Sequence, residues 1–437
     1  MHFFPWRLRT VFANAARLIA HPAATGFALA AVWGGLAPAR AAAPFLEKAH
    51  LFEEKTDGFV SYRIPALVVT AQGTVLVFCE ARKFSGLDWG EIEIHSRRST
   101  DGGRTFSPSR QIAHAGPRLP RNPANADQPP GKVIGEPGQQ TVNNPVVIAD
   151  RDGTVHFIYC VEYMRAFYLR STDDGLTWSK PVDVTAAADR FRPEWPWRVI
   201  ATGPCHGIQL RSGRLVVPVW LAKAEGGAHG KAVVATIFSD DRGGTWRRGD
   251  IAVPNTATTP GVSEATVAQL SDGRVMLVAR NHAPSHRKVV VFSRDGATGW
   301  SRPEFAEALP EPICQASLLS YEDPAAPGRS RLLFSGPDSL ERADGNAAPG
   351  SRRDRKNLSV KLSHDDGRTW LATRSLEPGP SAYSDLAVLP DGTVLCLYEN
   401  GRPGATRPNS TRTDWPYARL TLARFNLAWL AAGAPPP

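Results

Sequence analysis

The stretch Ser61–Phe106 places charged residues at the ends of two apolar runs. Arg63 begins the first run, and Glu80 and Arg82 end the second. A Gln-Gly turn separates the runs, so an antiparallel pair of strands would bring these charged ends together. Asp88 follows a few positions later. Charged side chains at the ends of rigid strands are typical of a binding site, although Arg63 taken alone fits a capped strand end in solvent equally well.

The composition favours a large β-protein over a helical or nucleic-acid-binding one. The chain has 437 residues, of which 42% are hydrophobic, and it contains 38 glycines and 37 prolines. It can therefore bury a large core, as two or three domains or as one large all-β domain. The net charge is +9, but the arginines are spread along the chain without a basic helix. This distribution indicates acidic substrates rather than nucleic acid.

The N-terminal residues 1–43 have the pattern of a secretory signal peptide. Arginines at positions 7, 9 and 17 precede the short apolar segment 23–33, and the small-residue sequence Ala-Arg-Ala-Ala-Ala follows it. The apolar segment is too short to span a bilayer, which argues against an uncleaved anchor. We therefore expect an exported protein, periplasmic or secreted. After signal cleavage, its mature part, residues 44–437, should have no stable membrane insertion.

The five cysteines lie far apart, and the sequence contains neither Cys-x-x-Cys nor His-Glu-x-x-His. Neither a zinc site nor a redox motif is therefore indicated. Cys79, Cys160 and Cys396 lie in strand-like runs, which predicts small buried hydrophobic side chains. The odd number leaves at least one thiol free.

A short turn motif, Ser-x-Asp-x-Gly-x-Thr-Trp, recurs along the chain. Its aspartate can cap backbone N–H groups, its glycine can adopt a positive φ, and its aromatic ring can pack beneath the turn. Strand-like sequence around each copy predicts an all-β, six-bladed β-propeller in which the motif itself is scaffold. Two stretches rich in proline, glycine and charge, Gly116–Gln140 and Tyr321–Lys356, are predicted loop insertions. The copies are Ser99–Phe106, Ser171–Trp178, Ser239–Trp246 and Ser363–Trp370, with a degenerate fifth copy at Ser293–Trp300.

The sequence Tyr-Arg-Ile-Pro at 62–65, the repeated turns and the spaced arginines together resemble the bacterial exo-α-sialidase (neuraminidase) family. The likeness covers about residues 51 to 425. The turn repeat alone is weak evidence, because it also occurs in propellers of other functions. The resemblance implies a catalytic propeller that removes terminal sialic acid from glycoproteins, glycolipids or oligosaccharides.

The resemblance also implies a triad of arginines that binds the substrate carboxylate. Arg63 and Arg280 match its first two members, and Arg355 matches the third, with Arg352 and Arg353 as close rivals. Guanidinium groups suit this role because they stay charged and can bind a carboxylate through two hydrogen bonds. The supporting residues beside the triad are Glu399, which would orient the first arginine, together with Arg82 and Glu80.

Asp88, Glu264 and Tyr383 match the catalytic residues of the family. Tyr383 would be the nucleophile, Glu264 its base, and Asp88 the acid that protonates the leaving oxygen and later activates water, in a double displacement with retention. A neutral phenol suits an anomeric carbon that carries a carboxylate, but with a pKa of about 10 it needs a neighbouring base. This mechanism needs no metal or organic cofactor. The chain departs from the family pattern at Glu91 and Glu93, which replace aspartates, and at Ser263, which replaces asparagine.

Other functions are compatible with parts of this pattern. A trans-sialidase, or a hydrolase of a related nonulosonic acid, would use the same residues. A propeller that binds glycans without cleaving them needs the arginines but no nucleophile, base or acid, so Tyr383, Glu264 and Asp88 together argue against it. Taken singly, such residues are typical of a core or a solvated loop. Trp195 and Trp197 could line a sugar-binding rim or pack in the core.

Overall fold

The structure is a computed structural model that describes residues 43–127, 136, 138–323, 330–404 and 415–432. The predicted signal peptide lies outside these residues apart from its last position. Most strands are runs of Val, Ile, Leu and aromatic residues, which suit a pleated sheet covered by neighbouring sheets. The strands are β1 (Leu46–Glu53), β2 (Ser61–Val69), β3 (Val75–Arg82), β4 (Ile92–Ser99), β5 (Arg110–Gln111), β6 (Val142–Ala149), β7 (Val155–Val161), β8 (Arg165–Ser171), β9 (Val182–Asp183), β10 (Val199–Thr202), β11 (Cys205–His206), β12 (Ile208–Gln209), β13 (Leu215–Ala222), β14 (Ala232–Ser239), β15 (Arg247–Val253), β16 (Ala265–Gln269), β17 (Val275–Ala279), β18 (Arg287–Ser293), β19 (Glu304–Pro310), β20 (Ser317–Glu322), β21 (Ser330–Pro337), β22 (Lys356–Ser363), β23 (Ala372–Val388), β24 (Val394–Asn400) and β25 (Arg419–Phe425).

Helical structure in the described part of the chain is limited to three short pieces. These are the α-helices α1 (Thr185–Asp189) and α2 (Leu427–Ala431) and a 3₁₀ turn at Pro123–Asp127. The 3₁₀ turn lies in the first predicted insertion. The second predicted insertion contains β21, and its residues 338–355, after that strand, are loop. Among the described helices, none is long and apolar enough to cross a membrane.

The strands form five hydrogen-bonded sheets arranged in a ring. Strands β2–β5 and β16–β19 form four-stranded sheets. The two five-stranded sheets are β6–β9 with β11, and β10 and β13–β15 with β12. The fifth sheet has seven strands in the order β1-β25-β24-β23-β22-β21-β20. Inner strands of neighbouring sheets contact each other, β2 with β6 and β23, and β16 with β13 and β20. This closed succession of antiparallel sheets is a β-propeller, as the sequence predicted.

The predicted number of six blades is wrong, because the structure has four separate blades and one seven-stranded sheet. Strand β23 is 17 residues long. Its first half pairs with β22 and its second half pairs with β24. The sequence Pro-Gly-Pro in its middle is typical of a turn, but the strand continues through it. Two sets of strands that the sequence separates therefore belong to one sheet, which β1 completes by pairing with β25.

The hydrophobic core lies between neighbouring sheets. One cluster, for example, packs Phe78 of β3 against Phe157 of β7, with ring centroids 4.9 Å apart. All five cysteines are buried and unpaired, as expected for those in strands. Trp197 is fully buried and donates from Nε1 to the carbonyl oxygen of Ala188. Trp195 packs against the same cluster, so both tryptophans serve packing.

The repeated motif forms the capped turn that the sequence predicted. In the second copy, Asp173 accepts hydrogen bonds from Ser171 Oγ at 2.7 Å, from the N–H of Thr177 at 2.8 Å and from Thr177 Oγ1 at 2.5 Å. Gly175 has φ = 81°, in the left-handed region that glycine adopts without strain. Trp178 packs edge-on against Phe78. The motif is therefore a structural element at the end of the outer hairpins.

The charged aspartates of these turns should make the protein less stable in acid. Hydrogen bonds from Thr177 lower the pKa of Asp173 to about 2, and those from Thr245 lower the pKa of Asp241 to about 2. Since an unfolded aspartate titrates near a pKa of about 4, their contribution is complete above that pH and is lost as the pH falls towards about 2. Urea unfolding at pH 5 and pH 3 should show this loss. In Asp173→Asn the loss should be smaller; an unchanged loss would contradict this assignment.

Candidate active site

The pairing of β2 with β3 brings the predicted charged residues to one end of the first blade. Arg63 lies opposite Glu80 in the register, and Ser61 lies opposite Arg82. The two strands are joined by a tight turn in which Gly73 has φ = 82°. The sequence-based expectation that these strand ends meet is thus confirmed. Because β2 is an inner strand, its side chains reach the centre of the ring.

Glu399 holds the first arginine in place. It forms a bidentate ion pair with Arg63, whose Nε donates to Oε1 at 3.0 Å and whose Nη2 donates to Oε2 at 3.3 Å. It also accepts the backbone N–H groups of Ile64 at 3.0 Å and of Tyr383 at 3.1 Å. Glu399 is fully buried. Its four hydrogen bonds satisfy both oxygens and tie β24, β2 and β23 together around Arg63.

Arg82 connects the buried Glu80 to the predicted acid. Its Nη2 and Nε donate to Glu80 Oε2 at 2.7 and 3.1 Å, and its Nη1 donates to Asp88 Oδ1 at 3.0 Å. Arg63 Nη1 is 3.8 Å from the same oxygen of Asp88, whose side chain is 46% exposed. Burial acts to raise the pKa of Asp88, but the charges of Arg82 and Arg63 outweigh it and hold this pKa well below its ordinary value. Free Asp88 is therefore a carboxylate.

Tyr383, Glu264 and Arg280 form the centre of the site. The Tyr383 hydroxyl donates to Glu264 Oε1 in a short hydrogen bond. Arg280 Nη1 lies 2.5 Å from Glu264 Oε2 and 3.0 Å from Tyr383 Oη. The residues come from three places in the fold: Tyr383 from β23, Glu264 from just before β16 and Arg280 from just after β17. A phenol thus has a carboxylate within proton-transfer distance and a guanidinium beside its oxygen.

The electrostatics of this triplet favour a neutral phenol beside a charged carboxylate. Burial, with the charge of Glu264, raises the pKa of Tyr383 well above its ordinary value, although Arg280 and Arg355 act in the opposite direction. Burial also acts to raise the pKa of Glu264, but Arg280, the Tyr383 hydroxyl and Arg355 together lower it. At neutral pH the proton therefore resides on the tyrosine, and the carboxylate is ready to accept it.

Of the three candidates for the third arginine, Arg355 is the one whose guanidinium lies against the Tyr383 ring. It donates from Nη1 to Tyr417 Oη at 2.8 Å and from Nη2 to the carbonyl oxygen of Ile313 at 2.6 Å. Arg353 is buried and donates to carbonyl groups of its own loop, including Ser351 at 3.2 Å. Arg352 is exposed, and the positive charge of Arg355 lowers its pKa.

Three guanidinium groups surround Tyr383 and keep donors available. The Cζ atoms of Arg63 and Arg355 each lie 5.2 Å from the centroid of its ring, and Arg280 contacts its hydroxyl. The Nε atoms of Arg280 and Arg355 are buried and have no hydrogen-bond partner among the described residues. Buried N–H donors are costly unless they are satisfied. The site is thus suited to bind a small anion, such as a carboxylate, against the tyrosine.

A buried ion pair behind the site positions the second and third arginines. Lys288 Nζ lies 2.8 Å from Glu311 Oε2, and both side chains are almost fully buried. Glu311 also accepts the backbone N–H of Asn281, next to Arg280, at 3.2 Å and that of Cys314 at 2.8 Å. The carbonyl oxygen of the neighbouring Ile313 accepts a hydrogen bond from Arg355. One carboxylate therefore fixes both the backbone beside Arg280 and the segment that receives Arg355.

Tyr417 is a site residue that the sequence reasoning missed. Its ring lies under Arg63, with the guanidinium Cζ 3.8 Å from the ring centroid, and its hydroxyl accepts a hydrogen bond from Arg355. It packs edge-on against Trp415, which donates from Nε1 to Glu54 at 3.3 Å. Tyr417 lies just before β25, and its only sequence signal was its place at the start of a strand. It links the first and third arginines.

Removing the Tyr417 hydroxyl should weaken anion binding more than turnover of bound substrate. Tyr417→Phe keeps the ring under Arg63 but removes the acceptor for Arg355, so we expect KM to rise about threefold to tenfold with a smaller change in kcat. Tyr417→Leu, which also removes the stacked ring, should raise KM further. Steady-state kinetics on an α-sialoside checks both variants. A loss confined to kcat would contradict a role in positioning the arginines.

The chain is similar to known sialidases over most of its length. A family described as BNR repeat-like domain matches residues 126–396. A sialidase of Micromonospora viridifaciens is 34% identical over 423 residues, which cover 92% of this chain and 58% of that protein. An exo-alpha-sialidase of Aspergillus fumigatus is 28% identical over an alignment that covers 92% of this chain and 95% of that protein. The solved structure of the Hadza microbial sialidase Hz136 superimposes with a TM-score of 0.64 at 26% identity, covering 86% of this chain and 67% of that one.

The chain therefore belongs to the sialidase family with BNR, or Asp-box, repeats. It spans only 58% of the length of its Micromonospora relative but almost all of its Aspergillus relative. Within the part of the chain that the structure describes, no group of three or more His, Cys, Asp or Glu residues is arranged to hold a metal ion.

Proposed function

We propose that the protein is a retaining exo-α-sialidase that uses Tyr383 as its nucleophile. The observation that carries this proposal is the Tyr383–Glu264–Arg280 arrangement, a phenol hydrogen-bonded to a carboxylate inside a ring of three guanidiniums. A binding protein needs the guanidiniums but has no use for a buried phenol paired with a base. The relatives named as sialidases support the sialidase activity in this proposal, but they do not bear on its mechanism.

In this proposal the three arginines bind the carboxylate on the anomeric carbon and hold that carbon over the tyrosine. The Tyr383 oxygen attacks the carbon and passes its proton to Glu264, while the bond to the leaving oxygen breaks and Asp88 protonates that oxygen. Water then attacks the same carbon from the side that the aglycone has left. Asp88 takes the proton from this water, the bond to Tyr383 breaks, and the phenolate recovers its proton from Glu264. Two displacements restore the original configuration.

The expected substrates are sialylated glycans on glycoproteins, glycolipids or oligosaccharides. The N-terminal sequence pattern supports an exported, periplasmic or secreted protein that meets such glycans outside the cytoplasm. The exposed Arg352, whose pKa is lowered by the charge of Arg355, also suits an anionic substrate, because a bound anion would offset this repulsion.

Release of a fluorescent aglycone from an α-sialoside, with proton NMR of the first sugar product, tests the proposal. We expect turnover with the α-anomer appearing first and mutarotating later. The β-anomer as the first product would show inversion and exclude the tyrosine mechanism. Binding of sialic acid without turnover would indicate a glycan-binding propeller. Adding a sugar acceptor and measuring the ratio of products separates hydrolysis from transfer.

A further inference from the structure

Two exposed large hydrophobic side chains belong to the short segment that carries the proposed acid. In the described part of the chain, five such side chains are exposed, namely Phe84, Leu87, Leu176, Val182 and Leu371. Phe84 is 63% exposed and Leu87 is 37% exposed, and both belong to the segment 83–90 that carries Asp88. The other three lie on or near the outer turn motifs. Single exposed apolar residues need no explanation, but two within one short segment at a site do.

The backbone of this segment is held firmly, so the apolar side chains are presented by a fixed support. Arg82 Nη1 donates to the carbonyl oxygen of Gly86 at 2.7 Å. The N–H of Lys83 donates to the carbonyl oxygen of Glu91 at 2.9 Å. The N–H of Gly90 donates to Thr141 Oγ1 at 3.0 Å. A Cβ atom at Gly86 would lie 3.9 Å from the ring of Trp415, so an indole backs the segment.

The proposed reaction determines which part of the substrate lies next to Asp88. If Asp88 protonates the leaving oxygen, that oxygen lies within hydrogen-bond distance, about 3 Å, of its carboxylate. Oδ1 of Asp88 accepts a hydrogen bond from Arg82, and the Asp88 side chain is partly exposed. The first unit of the aglycone then lies next to Asp88, and Leu87 and Phe84 precede Asp88 by one and four positions on the same segment.

We propose that Phe84 and Leu87 form an aglycone subsite that takes the apolar face of the sugar ring next to the sialic acid. One face of a pyranose exposes C–H groups in a row, and an aromatic ring can cover them while the hydroxyl groups stay in water. Phe84 supplies that ring, and Leu87 extends the apolar surface towards Asp88. This inference rests on the proposed function, because it uses Asp88 as the acid.

The test compares two substrates that share the sialic acid but differ in the aglycone. Sialyllactose offers a pyranose to the subsite, and methyl α-sialoside offers only a methyl group. Phe84→Ser and Leu87→Ser should lower kcat/KM for sialyllactose about fivefold to twentyfold and leave kcat/KM for the methyl sialoside within about twofold. Leu371→Ser is the matched control, because it removes a similarly exposed apolar side chain, 57% exposed, far along the chain from Asp88. It should change neither value.

Each other outcome is decisive. An equal loss on both substrates would show that the segment itself was disturbed and would overturn the subsite, as would no loss on either. A loss of kcat/KM seen only with a sialylated lipid in micelles would show that Phe84 and Leu87 contact a lipid chain, and it would overturn their assignment to a sugar ring. Failure of the wild-type protein to hydrolyse either sialoside would instead refute the proposed function, and the subsite with it.

Discussion

Replacing Tyr383 by phenylalanine should lower kcat on an α-sialoside by about 10³-fold or more and leave the protein folded. The variant lacks the protein atom that, in the proposal, bonds to the anomeric carbon, so the loss corresponds to removal of a nucleophile. Tyr383 is buried, and phenylalanine fills nearly the same volume. Glu264 and Arg280 remain paired with each other at 2.5 Å, so neither charge is left without a partner.

Tyr62→Phe is the matched control for this variant. Tyr62 is also buried, it neighbours Arg63 in sequence, and its hydroxyl donates to the carbonyl oxygen of Thr56 at 3.1 Å. Removing that hydroxyl costs one ordinary hydrogen bond and should leave kcat within about twofold. Initial rates and thermal unfolding of both variants give the comparison. Retention of more than a tenth of wild-type kcat by Tyr383→Phe would rule out the tyrosine as nucleophile.

The sequence located this site well where a residue lies on a strand with a clear pattern. Arg63, Glu80 and Arg82 follow from a hairpin whose register is set by two apolar runs and a tight turn, and the structure has that register. The structure brings Glu264, Arg280 and Tyr383 together as the family pattern implied. Local sequence alone could not have predicted that these three residues meet, because Tyr383 lies on a different sheet from Glu264 and Arg280.

The sequence did not reveal contacts that depend on three-dimensional closure. Tyr417 is linked to Arg63 and Arg355 only because β25 and β1 complete the same sheet, and no spacing in the sequence signals this contact. Lys288 lies on β18 and Glu311 lies just after β19, so their ion pair forms only when these two strands are paired. The prediction of six blades rested on the repeated turns and the strand-like sequence around them, and these do not show that the two halves of β23 pair with β22 and with β24.

Replacing Asp88 by alanine should slow the reaction by an amount that depends on the leaving group. Sugar alcohols are poor leaving groups and need a proton, so we expect a loss of about 10²- to 10⁴-fold on sialyllactose. A phenolic leaving group departs without protonation, and the loss on an aryl sialoside should be at least tenfold smaller. Measuring kcat/KM for both substrates checks this difference. Equal losses would show that Asp88 does not act as the acid.

The low pKa of free Asp88 leads to a second prediction, about proton uptake. A bound substrate carboxylate would offset the charge of Arg63, and the sugar would shield Asp88 from water. Both effects raise the pKa of Asp88, so the carboxyl group should gain a proton when substrate binds. A group whose pKa is higher in the complex favours binding at lower pH, so the affinity for a carboxylate-bearing analogue should fall as the pH rises.

Calorimetry of analogue binding in buffers with different heats of ionisation measures this uptake. Glu264, whose pKa is also lowered by arginines that would bind the substrate, should contribute to it. Asp88→Asn cannot take up a proton at this position, so its uptake should be smaller than that of the wild type and its affinity less dependent on pH. Equal uptake in the two proteins would mean that Asp88 is not protonated by binding and must receive its proton at a later step. In that case the arginines would serve binding alone, without preparing the acid.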